Sequence, residues 1–171
     1  MKTGIKIKLN KKNKRGIALI MKALVQRVLE SNLKIDGKEY SKIGKGLIVF
    51  LGVTHEDKVE DAIALANKIT KLRIFEDEKD KMNLCITDVK GEIHIISQFT
   101  LYADCHHGNR PSFINAARPE IAIPLYEKFI EEFQKIGLSV ATGKFGADMK
   151  IQYINDGPIS ILLECKGGRI L

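Results

Sequence analysis

The sequence has little with which to cross-link itself, cross a membrane or cradle a phosphate. Its three cysteines, Cys85, Cys105 and Cys165, are odd in number and stand 20 and 60 residues apart. They supply neither a disulfide framework nor a CxxC-type metal or redox pair, which fits a reducing, cytoplasmic setting. No apolar run reaches the ~18 residues of a membrane span, and the best candidate, from Gly16 to Val25, is cut by Lys22. Neither a membrane span nor a secretory signal is expected. GxGxxG and the GxxxxGKS/T loop are both missing, so no glycine-rich phosphate cradle is expected. His55-Glu56 begins like HExxH, but Val59 takes the place of the second histidine. No GxSxG nucleophile elbow and no internal repeat occur.

Acid is missing from one stretch only. The first twenty residues hold Lys2, Lys6, Lys8, Lys11, Lys12, Lys14 and Arg15 with no Asp or Glu, which accounts for the whole formal charge of +7. From Met21 onwards 21 bases meet 21 acids. A neutral body is a poor grip for a long duplex, because counterion release needs many uncompensated phosphate contacts. Residues 1–20 therefore read as a basic extension: an RNA-attracting arm, a degenerate transit peptide, or a product of an upstream start. Residues 21–171 read as one domain, a length that suits a single core.

Within that body, Ala23 to Val28 is strand-like, and Leu33-Lys34-Ile35 runs into a hairpin turn at Asp36-Gly37. Gly46 to Val53 is a continuous apolar run that predicts a strand buried on both faces. Val59, Ile63, Ala66 and Ile69 recur at helical spacing, predicting a helix from Asp57 to about Leu72 capped by Asp57 or Thr54. Glu76 to Lys81 predicts a solvated loop. Glu92 to Ser97 predicts a strand leading into Gln98-Phe99-Thr100-Leu101. Leu125, Phe129, Phe133 and Ile136 predict a second helix, with Pro124 in its first turn and Gly137 as its stop. Ile151 to Ile154 and Ile159 to Glu164 read as two strands joined by a turn at Asn155-Asp156-Gly157-Pro158. Strands with two long helices make the chain α/β or α+β.

Candidate chemistry is sparse. Cys105-His106-His107 groups metal-ligand types, but adjacent side chains diverge, so no metal is expected. Ser97 and Thr100 stand at a strand end, where hydroxyls usually satisfy backbone groups. A nucleophile needs an activating base, and none is evident. The strand-to-loop transition instead offers backbone N–H groups suited to an oxyanion hole.

Several segments together resemble the D-aminoacyl-tRNA deacylases of the bacterial and eukaryotic type. They are Val25-Gln26-Arg27-Val28, Gly44-Lys45-Gly46-Leu47, Arg73-Ile74-Phe75 with Lys81-Met82-Asn83-Leu84, Ser97-Gln98-Phe99-Thr100-Leu101, Arg110-Pro111-Ser112-Phe113, Phe145-Gly146-Ala147-Asp148-Met149 and Asn155-Asp156-Gly157-Pro158. SQFTL followed by NDGP is the specific pair. The resemblance implies a single compact domain with a β-barrel-like sheet flanked by helices, working as a homodimer without a cofactor. It implies hydrolysis of the ester that joins a D-amino acid to the acceptor end of tRNA, a proofreading step in translation. Glycyl-tRNA mischarged on tRNA(Ala) is expected to be cleaved as well. Ser97, Gln98, Phe99 and Thr100 would form the hydrolytic site, with the RNA's own hydroxyl assisting. Across the subunit interface Gly157 and Pro158, joined by a cis bond and held by Arg27, would reject L-aminoacyl-tRNA. Ala147, Met149 and Asn155 would bind substrate, Ala147 and Met149 around the adenosine. Lys45, Arg110, Lys144 and Lys150 are candidates for holding the RNA. Ser160 stands where the family usually has Thr.

Three other readings remain at this point: a non-catalytic RNA-binding protein that uses the basic extension, a related deacylase with relaxed chirality, and an acyl hydrolase that uses Thr100 as nucleophile.

Overall fold

The structure, a computed structural model, describes residues 19–171. The basic extension expected over residues 1–20 falls outside the described residues except for Leu19 and Ile20. The chain runs β1 (Met21–Ile35), β2 (Lys38–Ile43), β3 (Gly46–Gly52), α1 (Val59–Thr70), β4 (Phe75–Glu76), β5 (Met82–Leu84), β6 (Glu92–Ser97), a 3₁₀ turn (Phe99–Tyr102), α2 (Pro119–Lys135), β7 (Val140–Thr142), β8 (Met149–Lys166) and β9 (Arg169–Ile170).

Seven strands form one mixed sheet in the order β7-β6-β3-β1-β8-β9, with β2 also on β1. The β1 strand organises it. Along one edge its first half pairs with β3 and its second half with β2, while its other edge pairs antiparallel with β8. Asp36 and Gly37 both take positive φ (52° and 75°), the conformation a tight hairpin between β1 and β2 requires. The parallel pairings, β3 with β6 and β6 with β7, lie on the other side of the sheet.

Alternation along the strands sorts side chains to two faces. Met21, Ala23, Val25, Leu47, Val49, Leu51, Ile93 and Ile95 form the larger core with Leu65 and Ile69 of α1 and Phe129 and Phe133 of α2. The opposite face gathers a smaller cluster around Val28, Leu33, Ile48, Phe50 and Ile96. Here the sheet curls into a half-barrel, tied by a buried histidine. His94 on β6 reaches Ser31 Oγ on β1 at 3.0 Å and Ser41 Oγ on β2 at 2.9 Å. Ser41 donates its own proton to the Thr142 carbonyl of β7, so it accepts from His94 Nε2–H, and Nδ1 accepts from Ser31. Burial pushes the pKa of this neutral ring down to about 4.

Several local expectations are corrected. The two strand-like runs on either side of NDGP are one strand, β8, in which Asn155 still pairs with Val28 and residues 156–159 form a bulge. Residues 23–28 and 33–35 likewise belong to a single β1. The helix α2 starts at Pro119, which takes the tolerated N1 position, so Pro124 lies inside the helix and not in its first turn. Pro124 is exposed, and its ring leaves the Glu120 carbonyl without the usual helical donor. Neither Asp57 nor Thr54 caps α1; Asp61 Oδ2 accepts the Lys58 N–H at 3.0 Å, and Asp57 receives the Thr54 N–H at 2.7 Å in the preceding turn. The expected loop at Glu76 to Lys81 begins in β4, which pairs with β5, and Asp77 ties the connection by accepting from the N–H groups of Lys79 and Lys81.

Candidate active site

The SQFTL segment leaves β6 at Ser97. The Gln98 N–H donates to the Leu51 carbonyl at 2.8 Å, extending the pairing with β3 by one residue before the chain turns. The far end of the 3₁₀ turn is anchored by Tyr102, a fully buried ring whose hydroxyl lies 2.7 Å from the Ile20 carbonyl and 3.0 Å from that of Gly52. A Cβ on Gly52 would stand 3.0 Å from that ring, so the close packing depends on glycine. Burial raises the Tyr102 pKa strongly, keeping the hydroxyl protonated as a donor.

The first bond inside the turn runs from the Leu101 N–H to the Gln98 carbonyl at 3.3 Å. The preceding N–H groups, those of Phe99 and Thr100, have no partner within the turn, as at any helix start. Two neighbouring backbone donors at a strand end suit an oxyanion. Gln98 Nε2 donates to Thr100 Oγ1. An amide nitrogen cannot take a proton from that hydroxyl, so this contact orients Thr100 without activating it. Phe99, 56% exposed, rests edge-on against Phe113 with ring centroids 5.1 Å apart.

The NDGP segment is built on a large register break. Val28 pairs with Asn155 and Gln26 pairs with Ser160, so Arg27 alone stands opposite residues 156–159. Arg27 is buried, and its guanidinium fills the place the ladder leaves empty. Nε donates to the Asp156 carbonyl at 3.2 Å and lies 3.0 Å from the Asp156 carboxylate. Nη1 donates to the Ile74 carbonyl at 2.7 Å, and Nη2 lies 3.6 Å from Glu76. The Gly157–Pro158 bond is cis, and Gly157 takes φ 128°, a conformation closed to L residues. Asn155 spans the bulge, accepting the Ile159 N–H at 3.0 Å.

Ala147 is half-buried in the connection between β7 and β8, its N–H bonded to the Lys144 carbonyl at 3.1 Å. Met149 packs on the half-barrel face, and its sulfur flanks Gly143 together with Ile96, the residue before Ser97. Met149 therefore lies near SQFTL. Arg27, Asn155, Gly157 and Pro158 do not. Ser97 is level with Leu51 and Ala23, whereas the bulge is level with Arg27 and lies three strands from β6. Three strand spacings and four residue rises put the two motifs on the order of 20 Å apart along the sheet.

Sequence reasoning passed over Asp156, Ile74 and Glu76 as partners of Arg27, and Gln26 and Tyr153 beside the bulge. Ile74 acts through a main-chain carbonyl, which no side-chain pattern reveals. Cys105, His106 and His107 do not converge; His106 Nδ1 instead meets Asp104 Oδ1 at 2.7 Å. Among the described residues no three His, Cys, Asp or Glu side chains gather as a metal site.

The family model described as D-Tyr-tRNA(Tyr) deacylase matches residues 24–164. The chain belongs to this family. It is 51% identical over 150 residues to the D-aminoacyl-tRNA deacylase of Fusobacterium nucleatum, covering 88% of this chain and 99% of that one. It is 52% identical over 144 residues to the D-aminoacyl-tRNA deacylase of Clostridioides difficile, covering 84% and 97%. Among solved structures, one titled c-Myc DNA Unwinding Element Binding Protein superposes with a TM-score of 0.79 at 39% identity, covering 85% of this chain and 99% of that one. A probable eukaryotic D-amino acid tRNA deacylase superposes with a TM-score of 0.74 over 85% and 100% of the two chains. At 14% identity that second likeness speaks to fold alone.

Proposed function

We propose that this family member is a hydrolase that cleaves the ester of D-aminoacyl-tRNA, releasing the free D-amino acid and tRNA. The observation that carries the reading is the pairing of an unactivated Thr100 with two backbone N–H groups, those of Phe99 and Thr100, that precede the first bond of the turn and have no partner within it. An ester on a terminal ribose is already an activated acyl group, so the protein needs only to position it and stabilise the developing oxyanion. Water adds to the carbonyl carbon, assisted by the neighbouring ribose hydroxyl. The acyl C–O bond breaks, and the ribose oxygen leaves as a hydroxyl. Ser97, Gln98, Phe99 and Thr100 form this hydrolytic site. Ala147, Met149 and Asn155 bind the substrate, with the half-buried Met149 and Ala147 against the adenosine.

Chirality is set by Gly157 and Pro158, held by Arg27, whose loop occupies the space an L side chain needs. Rejection of the abundant L ester then rests on exclusion, which small differences in attraction could not achieve. Glycine has no side chain to exclude, so glycyl-tRNA on tRNA(Ala) is cleaved too. Because the two motifs lie on the order of 20 Å apart along the sheet of one chain, the site is completed by the loop of a second copy, and the working unit is a homodimer. The strand β8 supports this, with Ile154 and Leu162 about half exposed and an outer edge that meets β9 only at Cys165 and Lys166. Residues 21–171 are the deacylase domain, residues 1–20 are dispensable for turnover, and the substrate places the enzyme in the cytoplasm. No helix of the described residues is long and apolar enough to cross a membrane.

The test is release of amino acid from matched D-tyrosyl-, L-tyrosyl- and glycyl-tRNA by the purified chain, with sedimentation to give its mass. Cleavage of the D and glycyl esters by a dimer, with the L ester spared, is expected. Equal cleavage of D and L esters would point to a relative with relaxed chirality; binding of tRNA without any cleavage would point to an RNA-binding protein.

A further inference from the structure

The loop that carries Gly157 and Pro158 has a second fastening, independent of Arg27. Opposite its four residues β1 offers Arg27 alone, so the strand ladder cannot hold the loop's far side. Side chains at the flanks supply the bonds. Asn155 Oδ1 accepts the Ile159 N–H at 3.0 Å. A backbone N–H can only donate, so this bond fixes which way the Asn155 amide faces, and its Nδ2 donates to Ser160 Oγ at 3.2 Å. Ser160 Oγ also accepts from Gln26 Nε2 at 2.7 Å, and Gln26 Oε1 accepts the Tyr153 hydroxyl at 2.8 Å. The Tyr153 ring packs on the half-barrel face, tilted 53° to Phe50 with centroids 6.2 Å apart. One polar chain thus runs from the packed face of the sheet to the N–H that follows Pro158.

We propose that Tyr153, Gln26 and Ser160 are positioning residues for chiral selection, acting through Asn155 to hold the Gly157-Pro158 loop in place. The inference rests on the deacylase reading above. An enantiomer filter that works by excluded volume must be held within about half an ångström, because the rejected group differs only in direction. Stability alone does not account for the network. Gln26 is half-buried and Ser160 exposed, and hydrogen bonds open to water contribute little to folding. Ser160 acts as a double acceptor, a role any hydroxyl of the same reach, such as that of a threonine, can fill.

The test uses Ser160→Ala, Gln26→Leu, Tyr153→Phe and Ser160→Thr in the full chain, with two readouts. The first is amide exchange at Ile159, which reports the loop directly: protection falls tenfold or more in the first three variants and is retained in Ser160→Thr. The second is the ratio of D- to L-tyrosyl-tRNA cleavage, which falls tenfold or more in the same three and is restored by Ser160→Thr. Tyr153→Phe removes only a hydroxyl and keeps the ring against Phe50, so it separates positioning from folding. Unchanged Ile159 exchange, or faster exchange with an unchanged D/L ratio, overturns the inference. A wild-type chain that cleaves both enantiomers alike would instead overturn the functional reading, and Ile159 exchange would still decide whether the network holds the loop.

Discussion

Arg27 and Asp156 are joined twice: Arg27 Nε donates to the Asp156 main-chain carbonyl at 3.2 Å and lies 3.0 Å from its carboxylate. The same guanidinium reaches Ile74 and Glu76 on the segment that follows α1. One planar cation therefore ties β1, β8 and that segment together, which the single ammonium of a lysine cannot do. Arg27→Ala should destabilise the chain by about 2–3 kcal/mol, since it strands hydrogen-bond acceptors and removes a buried cation from two carboxylates. Arg27→Lys should recover less than half of that loss. Urea unfolding of the three proteins checks the order, and cleavage of the D ester should fall at least tenfold in both variants.

Thr100 separates assisted hydrolysis from nucleophilic catalysis. Its hydroxyl accepts from the Gln98 amide, which is no base. Thr100→Ala keeps the backbone N–H groups of the turn and should retain D-ester cleavage within about tenfold, whereas loss of a covalent nucleophile costs about 10³-fold or more. Single-turnover cleavage rates decide between the two.

Much of the fold was legible because periodicity reports burial directly. The run from Gly46 to Val53 became β3, buried throughout, and Leu125, Phe129 and Phe133 became the core face of α2. What escaped was tertiary. Asn155-Asp156-Gly157-Pro158 has the composition of a turn, yet the chain passes through it without reversing, because the long β1 continues to pair on both sides. Pro119 displaced Pro124 from the expected first turn, since two prolines within six residues cannot both stand there. Arg27 could be assigned to the loop only through a resemblance, for its main-chain acceptors at Ile74 and Asp156 leave no mark on side-chain patterning.

His94 makes the half-barrel sensitive to acid. Its pKa is about 4 in the folded chain and lies near 6.5 for a free imidazole. The unfolded chain therefore takes up this proton first. The contribution is complete above pH 6.5 and is lost as pH falls toward 4, to the extent of about 3 kcal/mol. Protonation would also give Nδ1 a hydrogen, so the Ser31 hydroxyl would have to turn from donor to acceptor. Comparing urea midpoints at pH 7 and pH 4.5, wild type should lose more stability than His94→Gln, which has no charge to gain. An equal loss in both would place the acid sensitivity elsewhere.

Asp57 acts in the opposite direction. It is buried beside Tyr102 and Asp61, and desolvation, set against its bond from the Thr54 N–H, pushes its pKa up to about 7. Ordinary unfolded aspartate titrates near 3.9, so here the folded chain holds the proton more tightly than the unfolded one. Stability from this group is full below about pH 4 and is lost as pH rises through 7, by up to about 4 kcal/mol. Asp57→Asn cannot ionise and still offers an oxygen to the Thr54 N–H. At pH 8 the variant should be more stable than wild type, by about 1–3 kcal/mol once the imperfect fit of the amide is allowed for. At pH 5 the folded wild-type Asp57 is neutral and ionisation of the unfolded chain leaves only about 1.5 kcal/mol in the variant's favour, which the imperfect fit of the amide offsets, so the difference should vanish or reverse. Denaturant unfolding of both proteins at the two pH values reads this crossing. A variant weaker than wild type at pH 8 would show that Asp57 is held as a charged, well-solvated carboxylate.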